Sequence, residues 1–155
     1  MEMQAAVFRK VHEKLAIEAV EIDKPWGREV LVRTVATGVC HSDLHVVDGL
    51  GRFALDRPMV LGHEGAGIVE AVGAEVTSVR PGDHVVACLS GFCGSCAQCL
   101  SGHPNLCTGG IVTRADSAAP RLSQQGAPFR QFLGISSYAE RMLLHENSLV
   151  RIDPD

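Results

Sequence analysis

The sequence has no basic run or stripe. Its 14 Lys and Arg stand against 18 Asp and Glu, a net charge of −4 and a pI of about 5.9. Phosphate backbones need clustered cations, so no nucleic acid is expected as a partner. No apolar stretch approaches the roughly 20 residues that cross a bilayer, so no membrane partner is expected either. The opening MEMQAAVFRK is too polar and charged for a secretory leader. The expected location is therefore the cytoplasm, where thiols stay reduced. No internal repeat is visible. A credible nucleotide cradle is also lacking. Gly49-Leu50-Gly51-Arg52-Phe53-Ala54 has the G-x-G-x-x-A form, but it follows an expected helix rather than a strand, with no βαβ unit around it. Gly65-Ala66-Gly67 fails the spacing.

What is present suffices for one domain with a real core: 155 residues, 46% of them hydrophobic. The hydrophobic rhythm is strand-like over 4–8, 15–20, 29–36, 67–72, 84–87 and 137–143, in short β-branched or alternating runs. Turns fall at Lys24-Pro25-Trp26-Gly27 and Pro81-Gly82-Asp83. One helix is expected from His41 to about Val47, with Ser42 or Asp43 near its start. Residues 113–131 are rich in Ala, Ser, Pro and Gln and read as a long loop. The fold class is mostly β with short helices, a small barrel or sandwich.

Six cysteines are present, and four of them, Cys93, Cys96, Cys99 and Cys107, lie in one short glycine-rich stretch. Four neighbouring thiolates match one closed, tetrahedral zinc. A disulfide scaffold is arithmetically possible but needs export. A redox C-x-x-C needs a thioredoxin-like context that is not evident. His103 reads as a loop residue, since four thiolates already complete the shell, and Cys88 as an apolar core thiol. Upstream, Cys40 and His63 could share a second metal. Alone, each reads as an ordinary buried thiol and a satisfied histidine.

The combination carries a resemblance. Gly38-Val39-Cys40-His41-Ser42-Asp43, Gly62-His63-Glu64 with Gly67 and Val69, Val79-Arg80-Pro81-Gly82-Asp83-His84-Val85, the cysteine lobe and Gly134-Ile135-Ser136-Ser137-Tyr138-Ala139-Glu140 resemble, in order and spacing, the N-terminal part of the zinc-dependent medium-chain alcohol dehydrogenases. The stretch 108–132 is similar to the branch of animal-type alcohol dehydrogenases and glutathione-dependent formaldehyde dehydrogenases.

The resemblance implies a GroES-like β barrel over 1–155, with a structural-zinc lobe at about 91–110 and a long loop at about 111–132. The family's Rossmann domain, which binds NAD, is absent from this chain, and so is the third protein ligand of the catalytic zinc. The chain alone is therefore expected to be inactive, and the full-length enzyme to be a homo-oligomer.

In that enzyme, zinc on Cys40 and His63 lowers the pKa of an alcohol's hydroxyl, hydride passes to NAD, and an aldehyde or ketone results. The resemblance gives Ser42 and His45 a proton relay and Asp43 the support of His63. It places Glu64 behind the metal as a substitute ligand, His41 at the cofactor pyrophosphate, and Leu89 and Phe132 in the substrate pocket. The alternative is a non-enzymatic zinc-binding module whose barrel serves as a scaffold.

Overall fold

The computed structural model of the protein describes residues 1–50, 53, 55–110, 112–115 and 117–154. Gly51, Arg52 and Ala54 of the glycine pattern at 49–54 lie outside the described residues. The elements are β1 (Glu2–Phe8), β2 (Ala16–Ile22), β3 (Glu29–Thr37), α1 (His41–Val47), β4 (Met59–Val60), β5 (Gly65–Val72), β6 (His84–Ala87), α2 (Ala97–Leu100), β7 (Leu122–Gln124), β8 (Ala127–Pro128), β9 (Arg130–Gln131), β10 (Arg141–His145) and β11 (Leu149–Ile152). They form two sheets, ordered β8-β7-β2-β1-β4-β9 and β10-β3-β5-β6-β11. The mostly-β, barrel-like expectation holds.

Side-chain alternation explains how the sheets close. Met3, Ala5 and Val7 of β1 are buried and alternate with the less buried Glu2, Gln4 and Ala6, the period-2 pattern of a half-buried strand. They pack with Val20, Ile22, Leu122 and Leu143 in one core cluster. A second cluster holds Val30, Val32, Val69, Val85, Met142 and Leu144. Leu31 and Leu143 belong to the first cluster, and their strand neighbours on either side belong to the second. β3 and β10 are thus apolar on both faces and form the wall between the two halves of the core. A third cluster, with Phe8, Val46, Met59, Leu61 and Phe132, packs under α1.

Two expectations need correction. Residues 137–140 are not part of a strand, because the closing strand is β10, beginning at Arg141. The segment instead crosses between the sheets. Ala6 N–H donates to Tyr138 C=O at 2.8 Å, and Thr34 N–H donates to Glu140 C=O at 2.9 Å. Nor is 113–131 a structureless loop. It holds β7 and β8, joined at Gln125 and Gly126 with φ of 51° and 81°, which fits a tight hairpin turn.

Few of its side chains are large and apolar; Leu122 and Phe129 enter the first core cluster, and charge fastens the rest of the stretch. Arg114 and Arg121 both donate to Glu29, which is buried, and Arg114 also donates to Asp23 and lies over the Trp26 ring. Burial pushes the Glu29 carboxyl up, but the hydrogen bonds from Arg114 and then Arg121 outweigh it, and the net is below the ordinary value. A buried carboxylate held by two guanidiniums is costly to break by removing one partner.

Candidate metal centres

The cysteine lobe follows β6, and its geometry can be tested against the chemistry of its donors. Four sulfurs placed tetrahedrally at about 2.3 Å from one centre lie about 3.8 Å apart. The observed separations are 4.0 Å for Cys93–Cys99, 3.5 Å for Cys96–Cys99, 3.9 Å for Cys96–Cys107 and 3.6 Å for Cys107–Cys93. All are far from the roughly 2.05 Å of a disulfide, and the six cysteines are free. The residues fit one closed zinc.

Backbone amides turn toward the sulfurs and favour the thiolate form. Cys93 Sγ accepts from the amides of Ser95 and Cys96, and Cys107 Sγ accepts from that of Cys93. The Ser95 amide leads in holding the Cys93 thiol down at about 7, and the Cys99 amide in holding Cys96 at about 5. Burial leads in pushing the Cys99 thiol up to about 12. Gly109 lets the chain pass the cluster, since a Cβ there would lie 2.9 Å from Cys93 Sγ. His103 bonds Ser101 and stays outside the sulfur cluster.

The lobe is moored to the barrel by the turn Glu146–Ser148. Asn147 Nδ2 donates to Phe92 C=O at 2.7 Å, and Cys88 N–H donates to Ser148 C=O at 2.8 Å. Cys88 itself is exposed, not in the core as expected. It lies just past the end of β6, where the strand's inward–outward alternation no longer governs it.

The second site is built by the pairing of β3 with β5. Thr37, at the end of β3, stands opposite Gly65, at the start of β5. Cys40 follows the one strand by three residues and His63 precedes the other by two, so the pairing brings them together. Gly38 N–H donates to Glu64 C=O at 2.9 Å and fastens the two ends. Cys40, His63 and Glu64 present one ligand atom each, all within 4.8 Å of one another. Cys40 is half-buried, His63 buried and Glu64 exposed, so the set has an open side.

The donor set fits a zinc that keeps a position free. Ser42 Oγ lies 3.3 Å from Cys40 Sγ and 3.3 Å from His63 Nε2, so the hydroxyl bridges the two ligand atoms. The other ring nitrogen, Nδ1, is buried without a hydrogen bond and faces Asp43 Oδ2 at 3.6 Å. A proton on Nδ1 directed to Asp43 leaves the Nε2 lone pair for a metal.

Asp43 is buried. Its Oδ2 accepts from Cys40 N–H at 3.2 Å and Tyr138 Oη–H at 3.0 Å, and its Oδ1 accepts from Gly62 N–H at 2.9 Å. Ser42 and Asp43 stand in the first turn of α1, near its start as expected, and Cys40 is the residue that precedes the helix.

The remaining expected residues divide. Phe132 is buried and sets its ring edge-on to His63 at 5.4 Å and to Phe53 at 5.4 Å, an apolar wall beside the ligand. Leu89 is exposed and joins none of the apolar clusters. His41 and His45 lie on the exposed face of α1 with ring centroids 4.7 Å apart. No hydrogen bond joins Ser42 to His45 among the described residues. Sequence reasoning missed Asn147, Tyr138 and Ser136. Ser136 is buried at φ 63°, and its hydroxyl accepts from Phe132 N–H and donates to Val60 C=O. Ser136 and Tyr138 did carry a signal, since both stand in the run 134–140 on which the resemblance rests, and Tyr138 is the single tyrosine of the chain.

Residues 27–154 match the alcohol dehydrogenase GroES-like domain family. S-(hydroxymethyl)glutathione dehydrogenase of Haemophilus influenzae is 40% identical over 156 residues, covering 98% of this chain and 41% of that protein. The crystal structure of an alcohol dehydrogenase zinc-binding domain protein from Burkholderia ambifaria superposes with a TM-score of 0.87 at 41% identity, covering 100% of this chain and 43% of the other. That of benzyl alcohol dehydrogenase from Acinetobacter calcoaceticus gives 0.84 at 40% identity, covering 100% and 42%. The chain thus spans about two fifths of the length of these relatives.

Proposed function

Since the chain belongs to the alcohol dehydrogenase GroES-like domain family, we propose that it is the alcohol-handling part of a zinc-dependent dehydrogenase that oxidises an alcohol to an aldehyde or ketone with NAD. The observation that carries this reading is the pair of unlike donor sets. One is sealed by four sulfurs, and the other is open on the side of Glu64. A scaffold needs the first and has no use for the second.

Zinc at the open set supplies Lewis-acid polarisation of a hydroxyl oxygen. The chain's own residues prepare that place. Cys40 and His63 offer a soft anionic donor and a neutral one, with Glu64 in reach as a third. Phe132 shields one flank from water. Ser42, between the two ligands, can hand a proton outward, having both donor and acceptor capacity. His45, one turn along α1, is the acceptor we assign to it through an intervening group.

We assign His41 to the cofactor's phosphates and NAD binding itself to a part of the enzyme outside these residues. We further take 1–155 as one catalytic unit and the whole enzyme as a cytoplasmic homo-oligomer. Among the described residues no helix is long and apolar enough to cross a membrane.

Zinc stoichiometry tests the reading. Two equivalents are expected, one lost in Cys99→Ser and the other in Cys40→Ser. A single equivalent that survives Cys40→Ser refutes the enzymatic reading and leaves the zinc-binding scaffold in its place.

A further inference from the structure

Asp43 lies between the two segments that carry Cys40 and His63, and it is 3% exposed. Two of its hydrogen-bond donors, the amides of Cys40 and Gly62, belong to those same segments. The third does not. The Tyr138 hydroxyl reaches in from the strip that crosses between the sheets and bonds Oδ2, the oxygen that faces the unpartnered His63 Nδ1.

Tyr138 is fixed well enough to aim that hydroxyl. Its N–H donates to Leu61 C=O at 3.0 Å, and its C=O accepts from Ala6 N–H at 2.8 Å. Its ring lies against the backbone of Gly62, where any Cβ would run into Cδ1. The side chain packs against both the cluster inside β1 and the cluster under α1. A phenylalanine would fill the same space. What it would lack is the hydroxyl that bonds Asp43.

We propose that Tyr138 is a positioning residue of the Cys40–His63 centre. Its hydroxyl holds Asp43 Oδ2 opposite His63 Nδ1, and so keeps the imidazole oriented with Nε2 turned toward the metal. Without that bond the carboxylate is held only by the two amides of the segments it is meant to align, and it is free to rotate away from Nδ1. The inference rests on the metal reading given above.

The test is a zinc titration of the metal-free chain, with the second equivalent measured in competition with a chelator of known affinity. The first equivalent fills the four-cysteine lobe and reports that the chain is folded. In Tyr138→Phe the second equivalent is expected to bind about 10-fold more weakly, the lower end of the range for groups that orient a ligand, and the first to be unchanged. If Tyr138 acts through Asp43, the same substitution in an Asp43→Asn background adds nothing.

Second-site affinity in Tyr138→Phe that is equal to or tighter than that of the unaltered chain overturns the inference alone. So does an undiminished effect in the Asp43→Asn background, or loss of both equivalents. Absence of a second equivalent from the unaltered chain overturns the metal reading, and this inference with it.

Discussion

Replacing Glu146 by glutamine should produce a stability loss that fades in acid. The carboxylate is buried and accepts from Arg28 Nε at 2.7 Å, Thr77 N–H at 3.0 Å and Ser78 N–H at 2.9 Å. Burial pushes this carboxyl up, but the hydrogen bonds from Arg28, Ser78 and Thr77 outweigh it and bring it from the ordinary 4.5 to about 2.

A depressed carboxyl stabilises the folded chain above its unfolded value and loses that effect as pH falls toward the folded one. At about 1.36 kcal/mol per unit the full contribution is about 3 kcal/mol near neutrality, falling to about 1.4 kcal/mol near pH 3. Arg28 is 43% exposed, so solvent screens its share, and about 2–3 kcal/mol near neutrality is the better figure. With a urea m-value of about 2 kcal/mol/M, the unfolding midpoint of Glu146→Gln should lie about 1–1.5 M below that of the unaltered chain near pH 7. Near pH 3 the gap should be about half of that. Acid strips the thiolates of both chains alike, so the gap is the informative quantity. A gap of equal size at both pH values, or none at neutrality, refutes the reasoning.

Two further substitutions probe the supports of the sites. Gly62→Ala places a Cβ 2.8 Å from Tyr138 N at a backbone φ of 86°. Left-handed strain and overpacking should together cost about 2–5 kcal/mol, read as a lowered melting temperature with weaker binding of the second zinc. Asn147→Ala removes the side-chain bond to Phe92 C=O. It should cost about 0.5–1.5 kcal/mol and speed amide exchange across 91–110, while the sulfur cluster keeps its metal.

How much could be read in advance depended on how local each feature is. Helix α1 and strand β6 fall where the hydrophobic rhythm put them, because both are set by neighbours within one short run. The four cysteines announce themselves for the same reason. The strand expected at 137–143 began late because its first half spends its backbone groups on β1 and β3 from both sides, a tertiary arrangement with no periodic signature. The hairpin inside 113–131 was hidden by its polar composition, since its anchors are two isolated apolar residues, Leu122 and Phe129, and ion pairs from Arg114 and Arg121 to Glu29, far off in sequence. Likewise Asp43 and Glu64 were both candidates beside the ligands, and only the fold separates them: one is buried with four polar neighbours, the other lies at the open rim.

The two donor sets also differ in when they come into existence. Cys93 to Cys107 need only their own short stretch of chain, so a nascent polypeptide can capture zinc as soon as that stretch is made. Cys40 and His63 become neighbours only when β3 has found β5, so their metal must wait for the finished barrel. Metal loading is therefore ordered in time against the order of the sequence, with the later cysteines filled first. In a cell short of zinc, molecules carrying a single ion should accumulate with the sulfur lobe occupied and the Cys40–His63 set empty.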